Sequence, residues 1–311
     1  MKILITGSIA YDTIMVFPDR FRNHLLADQL HILNVCFLTP QMRREYGGTA
    51  GNIGYNLKLL GAEPLLMATV GEDIDPYLAR LKSLGIDAGQ LKRIGGEFTA
   101  QAFITTDLDD NQITAFHPGA MNHAHENRIT PEVGAKLATV SPDGKEGMQQ
   151  HARQCAQHGI PFVFDPGQGL PMFSGDELEE FIRLADYVAV NDYEAKLLED
   201  KTGRKTEAIA KDVRAMIVTL GAKGSQIYAG GRRTEIPSAP TEAVVDPTGC
   251  GDAYRAGLLY GISKGWDWET TGRLASVLGA IKIAHRGPQN HMPSLAEIAD
   301  RYRKAFGTPP F

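Results

Sequence analysis

Short apolar runs rich in β-branched residues alternate with stretches of helical spacing along most of this chain. Residues 2–8 form the first such run, and four later ones are predicted strands at residues 136–140, 161–164, 187–190 and 216–220. Strict alternation of strands and helices favours a mostly parallel sheet with helices on both faces. With 311 residues the chain is long enough to bury a core of this kind.

Two segments, residues 12–47 and 95–117, do not follow this alternation of strands and helices. The second contains two apolar-polar runs joined across Asp109, Asp110 and Asn111, which is typical of a β-hairpin. In the first, residues 30–38 resemble a strand. We expect the two segments to pair as a small β lid over a single α/β domain that spans residues 1–311.

Composition excludes several partners and compartments. There are 32 Lys and Arg against 37 Asp and Glu, and the net charge of -5 argues against nucleic acid as a partner. The three cysteines lie outside any C-x-x-C pair, which predicts a reducing compartment without structural zinc. The N-terminal apolar run is too short for a signal peptide, and no stretch reaches the roughly 18 apolar residues of a membrane helix. We therefore expect no membrane contact and a cytoplasmic protein.

Residues 249–252, Gly-Cys-Gly-Asp, stand at the start of a stretch with helical spacing. A helix N-terminus beyond the carboxyl ends of parallel strands offers free N–H groups and a partial positive charge, and glycine lets a ligand approach the backbone. The turn with Gly249 and Gly251 is therefore predicted to bind an anion. Asp252, itself an anion, suits a base that takes the proton of a hydroxyl attacking a phosphate. A tight turn with Asp252 as a helix cap is the alternative, and this motif alone does not decide between them.

Four motifs together resemble the ribokinase-like (PfkB) carbohydrate and nucleoside kinases. DPTGCGDAYRAGLLYG resembles the C-terminal signature of that family, although Cys250 stands where alanine is usual. GGTAGNIGYNLKLLGA is similar to the N-terminal signature, NDYE to the N-x-x-E element and TLGAKGS to the nucleotide loop T-x-G-x-x-G. Because the motifs occur in the family's order along nearly the whole chain, the resemblance implies a ribokinase-like three-layer α/β/α fold with a β lid.

On the phosphate side, the resemblance implies that Asp252 is the catalytic base. The backbone of Gly249, Cys250 and Gly251 would form the anion hole for the γ-phosphoryl group of ATP. Glu194 and Asn191 would organise Mg²⁺ through water, although Glu194 would equally suit a solvated first-turn position of a helix. The predicted ATP contacts are Asn191, Thr219, Gly221, Gly224, Gly251 and Asn290.

Asn290 belongs to the sequence RGPQNH, which would close the adenine pocket or form a loop for a monovalent cation. The sequence leaves open whether K⁺ or a similar ion is needed. It also leaves open whether the protein is a monomer or a homodimer formed through the lid.

On the acceptor side, Asp12 matches the family aspartate that receives the sugar hydroxyls. A carboxylate that accepts from two hydroxyls makes strong, charge-assisted hydrogen bonds. Gln101, Phe103 and Phe116 are predicted to face the acceptor from the lid hairpin, where aromatic rings would suit a purine. A hydrophobic core of the lid is the alternative role for these rings. The full set of predicted acceptor contacts is Asp12, Gly47, Gly48, Asn52, Gln101, Phe103, Phe116 and Gln168.

The long first insertion looks most like bacterial members of the adenosine-kinase type. This implies transfer of the γ-phosphoryl group of ATP to the 5′-hydroxyl of a nucleoside, with adenosine giving AMP. The nearest alternative is a kinase of the same family for ribose, fructose or a related sugar. A binding protein without turnover is disfavoured by the intact Asp252, Asn191 and Glu194, and a dehydrogenase by the lack of G-x-G-x-x-G after the first strand.

Overall fold

The computed structural model describes residues 1–25, 34–109 and 111–308. The strands are β1 Lys2–Thr6, β2 Ala10–Val16, β3 Gln41–Gly47, β4 Glu63–Val70, β5 Leu91–Arg93, β6 Ala100–Thr106, β7 Gln112–His117, β8 Leu137–Val140, β9 Phe162–Phe164, β10 Tyr187–Asn191, β11 Ala215–Thr219, β12 Ser225–Ala229 and β13 Arg232–Ile236. The helices are α1 Thr49–Leu59, α2 Asp75–Ser83, α3 Lys145–Gln157, α4 Gly175–Leu184, α5 Asp192–Thr202, α6 Thr206–Ile209, α7 Cys250–Lys264, α8 Trp268–Ile283 and α9 Leu295–Phe306.

The larger sheet has the strand order β13-β12-β11-β10-β9-β8-β1-β4-β5. Its strands from β11 to β5 run parallel, whereas β12 and β13 are antiparallel at one edge. The four strands predicted from residue 136 onward are β8, β9, β10 and β11, each within one residue of the expected bounds. The parallel sheet predicted from the alternation is therefore confirmed.

Both faces of this sheet are covered by helices. Ile3 and Ile5 of β1 belong to a core with residues of α1, α7 and α8, whereas Leu4 between them belongs to a second core with residues of α3, α4 and α5. Successive strand residues point to opposite faces, so a strand buried on both sides is apolar at every position. The three-layer α/β/α arrangement is confirmed. Among the described residues, no helix has the length and apolar character that crossing a membrane requires.

A smaller sheet with the order β3-β2-β6-β7 forms the predicted lid. Its central strands, β2 and β6, pair with each other and so join the two segments, residues 12–47 and 95–117, that do not follow the alternation of strands and helices. The hairpin predicted in the second segment is the antiparallel pair β6 and β7. The strand predicted at residues 30–38 is wrong for residues 34–38, which are irregular, and its first part lies outside the described residues.

The strand register of the lid corrects the expected orientation of its hairpin. Asp12 on β2 pairs with Ala102 on β6, which in turn pairs with Phe116 on β7, so these three side chains share one face of the sheet. Gln101 and Phe103 flank Ala102 and therefore point to the opposite face. The prediction that all three hairpin side chains face the acceptor is thus wrong for Gln101 and Phe103.

Helices α7 and α8 pack with their backbones in close contact. A Cβ atom at Gly257 of α7 would lie 2.5 Å from the Cα of Ala275 and 2.8 Å from its backbone nitrogen. No side chain fits between the helices at this point. Because Asp252 lies at the start of α7, this packing helps to set the position of its carboxylate over the strand ends.

We predict that Gly257→Ala lowers the free energy of unfolding by about 1–3 kcal/mol, because the added methyl group would overlap the backbone of α8. The matched control is Gly279→Ala in α8, where the nearest atom to a new Cβ, the Cys250 carbonyl oxygen, is 3.8 Å away. There the better helix propensity of alanine should raise stability by up to about 1 kcal/mol. Urea denaturation measures both changes, and equal stability of the two variants would contradict the packing argument.

Candidate active site

Polar residues follow several central strands at one edge of the large sheet. Asp165 follows β9, while Asn191 and Thr219 are the paired last residues of β10 and β11. The N-terminal part of α7 reaches the same edge, because Arg255 in its second turn forms an ion pair with Asp165 at 3.2 Å. Ligands of open α/β sheets bind beyond the carboxyl ends of the strands, so this edge is the candidate site.

The turn before α7 is shaped by Gly249. This residue has a φ of 80°, in the left-handed region, and a Cβ here would lie 2.7 Å from the Cβ of Pro288. A Cβ at Gly251, in contrast, would meet no described atom within 4 Å, so the space in front of it is open. Helix α7 receives no side-chain cap from the described residues. The predicted turn is thus a helix N-terminus facing open space, the geometry that binds anions.

A chain of buried hydrogen bonds holds the Asp252 carboxylate. The Asn52 Nδ2 donates to Asp252 Oδ2 at 2.8 Å, and Gln289 Nε2 donates to Asn52 Oδ1 at 3.0 Å and to the Tyr77 hydroxyl at 2.7 Å. The Tyr77 hydroxyl donates to the Gly47 carbonyl at 2.9 Å. Because the Asn52 oxygen already accepts a hydrogen bond, its nitrogen must face the carboxylate. The chain therefore links Asp252 to the last residue of lid strand β3.

The pKa of Asp252 is raised to about 7, mainly by burial. The hydrogen bond from Asn52 and the charge of Arg255 lower this pKa, while the carboxylates of Asp165 and Asp12 raise it. Asp252 keeps partial access to the open space beside the turn. A carboxyl group whose pKa lies near neutrality can accept and release a proton at physiological pH. The arrangement suits a general base.

Arg255 is a buried residue of the site that the sequence analysis did not identify. Its side chain and that of Asp165 are each only 6% exposed, and the carboxylate of Glu194 also contributes to its electrostatic environment. Arg255 follows Asp252 by three residues, or about one helical turn. A charged residue at this spacing from the proposed base was the sequence signal that could have identified Arg255 as part of the site. It supplies positive charge among the carboxylates around Asp252.

Asn191 and Glu194 form a capping box at the start of α5. The Asn191 side chain accepts from the Glu194 backbone nitrogen at 2.7 Å, and the Glu194 carboxylate accepts from both the backbone and side-chain nitrogens of Asn191 at 2.8 Å. Burial raises the pKa of Glu194. The described residues contain no group of three or more potential metal ligands. This geometry fits Mg²⁺ contacted through water, because the cap already orients both side chains.

The predicted acceptor residues Asp12, Gly47, Gly48 and Asn52 lie close together. A Cβ at Gly47 would be 2.6 Å from Asp12 Oδ2, so glycine is needed for the carboxylate to lie there. Gly48 precedes α1, which carries Asn52. Burial, followed by the charges of Glu45 and Asp246, raises the pKa of Asp12 to about 6. The carboxylates of Asp12 and Asp252 also influence each other, so the lid and the α7 turn meet at one cleft.

The remaining predicted residues lie at the margins of this cleft. Thr219 ends β11, and Gly221 and Gly224 bracket the short turn that leads to β12. The amide of Asn290, predicted to contact ATP, donates instead to Glu45 of β3 at 2.8 Å and to the Arg286 carbonyl at 3.0 Å. Gln168 is exposed on the turn after β9.

Comparison with known proteins agrees with this architecture. The family described as "pfkB family carbohydrate kinase" matches residues 15–295. The structure of Burkholderia thailandensis nucleoside kinase in complex with inosine is 53% identical, covers 99% of both chains and has a TM-score of 0.89. Its complex with ADP-inosine is 54% identical, with a TM-score of 0.87 and coverage of 99% of this chain and 97% of that one.

A more distant relative is the nucleoside kinase of Methanocaldococcus jannaschii, 33% identical over 273 residues, or 87% of this chain and 90% of that protein. The family match covers most of the sequence, and the three-layer fold, the lid and the four motifs all agree with it. The chain belongs to the pfkB family of carbohydrate kinases, which makes it a phosphotransferase with an alcohol group as acceptor.

Proposed function

We propose that this protein is an ATP-dependent nucleoside kinase that phosphorylates the 5′-hydroxyl of a purine nucleoside. The observation that carries the proposal is the Asp252 carboxylate, with a pKa of about 7, at the N-terminus of α7 beside an open anion-binding turn. The acceptor class is supported by the similarity to proteins named nucleoside kinase. Adenosine is the acceptor suggested by the sequence, and inosine is an equal candidate because the Burkholderia thailandensis structure contains it.

In the proposed reaction, the backbone N–H groups of Gly249, Cys250 and Gly251 hold the γ-phosphoryl group of ATP. The proton of the 5′-hydroxyl passes to Asp252, the hydroxyl oxygen bonds to the γ-phosphorus, and the bond from phosphorus to the bridging oxygen breaks as ADP leaves. A general base contributes about 10²–10⁴ in rate, and each preorganised anion-hole donor about 10²–10³.

Cys250 does not interfere with this role. Burial raises the pKa of its thiol to about 11, so the side chain stays neutral beside the proposed phosphate site. Its sulfur lies 3.8 Å from the Asp246 carbonyl oxygen. Only the backbone of Cys250 is therefore assigned to the anion hole.

Mg²⁺ bound to the ATP phosphates would neutralise charge that develops during transfer. Glu194 and Asn191 would hold its water molecules, since hard carboxylate oxygens suit the hydration shell of this ion. Thr219, Gly221 and Gly224 are the proposed contacts to the rest of the nucleotide.

On the acceptor side, Asp12 would accept hydrogen bonds from the ribose hydroxyls, with Asn52 between Asp12 and Asp252. Phe116 shares the Asp12 face of the lid and is 49% exposed, so its ring is free to contact a base. Closure of the lid over the nucleoside would exclude water and limit hydrolysis of ATP.

We predict ADP release from Mg·ATP with adenosine and inosine, and none above background with ribose or fructose. Asp252→Asn should lower kcat by at least about 10²-fold, because the amide cannot accept the proton, while the Kd for ATP changes little. Coupled measurement of ADP across the four acceptors, with guanosine added, tests both points. Turnover with ribose alone would contradict the nucleoside assignment, and near-normal turnover by Asp252→Asn would contradict the base.

We also predict that Phe116→Ala raises KM for nucleosides, because base-aromatic stacking contributes about 1–3 kcal/mol. Phe103→Ala is the matched control: it removes the same ring, 41% exposed, from the opposite face of the same sheet. Steady-state kinetics with adenosine and inosine compare the two variants. Equal increases in KM for both would mean that the rings only support the lid.

A further inference from the structure

Lys282 of α8 is a buried lysine whose ammonium group binds main-chain carbonyls. The residue has no exposed surface, and its Nζ donates to the Asp246 carbonyl at 2.7 Å and to the His285 carbonyl at 3.0 Å. Lysine is almost never fully buried without a charged partner, because removal of an ammonium group from water is costly. A buried lysine with this arrangement therefore calls for a functional explanation.

The two carbonyls belong to the loops that form the anion-binding turn. Asp246 starts the segment that leads into Gly249, and its carboxylate accepts from the backbone nitrogens of Thr248 and Gly287, both at 2.8 Å. The bond from Gly287 ties the loop before α7 to the loop after α8. The close approach of Gly249 to Pro288 depends on the same pairing of loops. The ammonium group thus lies at the junction that shapes the turn.

The negative charge of the Asp246 carboxylate balances the charge of Lys282 only in part, because the described residues show no ion pair between the two side chains. Burial lowers the pKa of Lys282, while Cys250 and Asp246 act in the opposite direction. The Cys250 thiol is neutral because its own pKa is raised to about 11. His291 is neutral as well, since burial, followed by the charge of Lys282, lowers its pKa to about 3. A positive charge behind the turn favours the binding of an anion in front of it.

A free monovalent cation does not fit at this junction. In the selectivity filters of K⁺ channels, rings of main-chain carbonyl oxygens bind the ion. Here the carbonyls of Asp246 and His285 already accept hydrogen bonds from an ammonium group of the same charge. A second cation at these oxygens would have to lie in contact with that group. These two carbonyls are therefore not available to a free cation at this junction.

We propose that Lys282 is a positioning residue whose ammonium group acts as a built-in cation, holding the anion-binding turn in shape so that the enzyme needs no K⁺. The inference rests on the proposed role of residues 249–251 in binding the γ-phosphoryl group. It does not depend on which nucleoside is the acceptor, because the turn contacts only the phosphate.

The wild-type enzyme gives the first test. Initial rates and the Kd for AMP-PNP, a non-hydrolysable ATP analogue that keeps a γ-phosphoryl group, are compared in KCl, NaCl and choline chloride at constant ionic strength. The proposal predicts equal kcat and equal Kd in the three salts. A clear rise in either kcat or AMP-PNP affinity with KCl over choline chloride would overturn it. AMP-PNP binding needs no acceptor, so a failed nucleoside assignment would leave this arm intact.

Lys282→Met removes the charge and keeps most of the side-chain length. We expect kcat, the affinity for AMP-PNP or both to fall by at least about tenfold, and NH₄⁺ or K⁺, but not choline, to restore part of the loss. The matched control is Lys201→Met, because the Lys201 ammonium also donates to two carbonyls, those of Pro171 and Phe173. This control should retain wild-type values in every salt.

Lys282→Met with wild-type kcat and AMP-PNP affinity would overturn the proposal. The proposal would also be overturned if Lys282→Met and Lys201→Met lost kcat and affinity to the same extent and neither responded to NH₄⁺ or K⁺. Such losses would reflect packing alone. If Lys282→Met does not fold, Lys282→Arg keeps the charge with a different shape, and the proposal predicts partial activity that is again insensitive to K⁺. The wild-type salt series decides the outcome independently of any variant.

Discussion

The hydrogen bond from Asn52 to Asp252 joins the two sides of the catalytic cleft. Asn52 lies in α1, directly after lid strand β3, whereas Asp252 lies in the first turn of α7, 200 residues later in the chain. Every other part of the site is arranged around this contact. Gln289 and Tyr77 orient Asn52 from behind, and Arg255 ties the next turn of α7 to the strand edge. The position of the proposed base thus depends on elements from both ends of the sequence.

The buried carboxyl groups of the site lower the stability of the folded protein when they ionise above mildly acidic pH. Burial raises the pKa of Asp252 to about 7 and that of Asp12 to about 6. The folded protein therefore binds these protons more tightly than the unfolded chain, in which both pKa values are near 4. The resulting stabilisation is complete below about pH 4 and is lost as the pH rises through 6 to 7. Such perturbed carboxyl groups in a cleft are typical of functional sites.

Much of the fold was predictable because its signals are local. Alternating strands and helices indicate a parallel sheet, and a glycine turn before a helix indicates an anion site. The orientation of Phe103 and Gln101 was not predicted correctly, because the face shared with Asp12 depends on the register between β2, β6 and β7. Arg255 and Lys282 were missed for a similar reason: Asp165, the ion-pair partner of Arg255, and Asp246, a carbonyl partner of Lys282, are both distant in sequence.

The pH dependence of kcat/KM for the nucleoside tests the central claim, that burial and Asn52 set the pKa of Asp252. We predict an acidic limb that falls about tenfold per pH unit below a midpoint near 7, and a higher midpoint in Asn52→Leu, because the lost hydrogen bond no longer favours the ionised carboxylate. Asp252→Asn should lack this limb and keep only the one from Asp12, whose midpoint lies near 6. A midpoint near 4, or one that does not move in Asn52→Leu, would contradict the account.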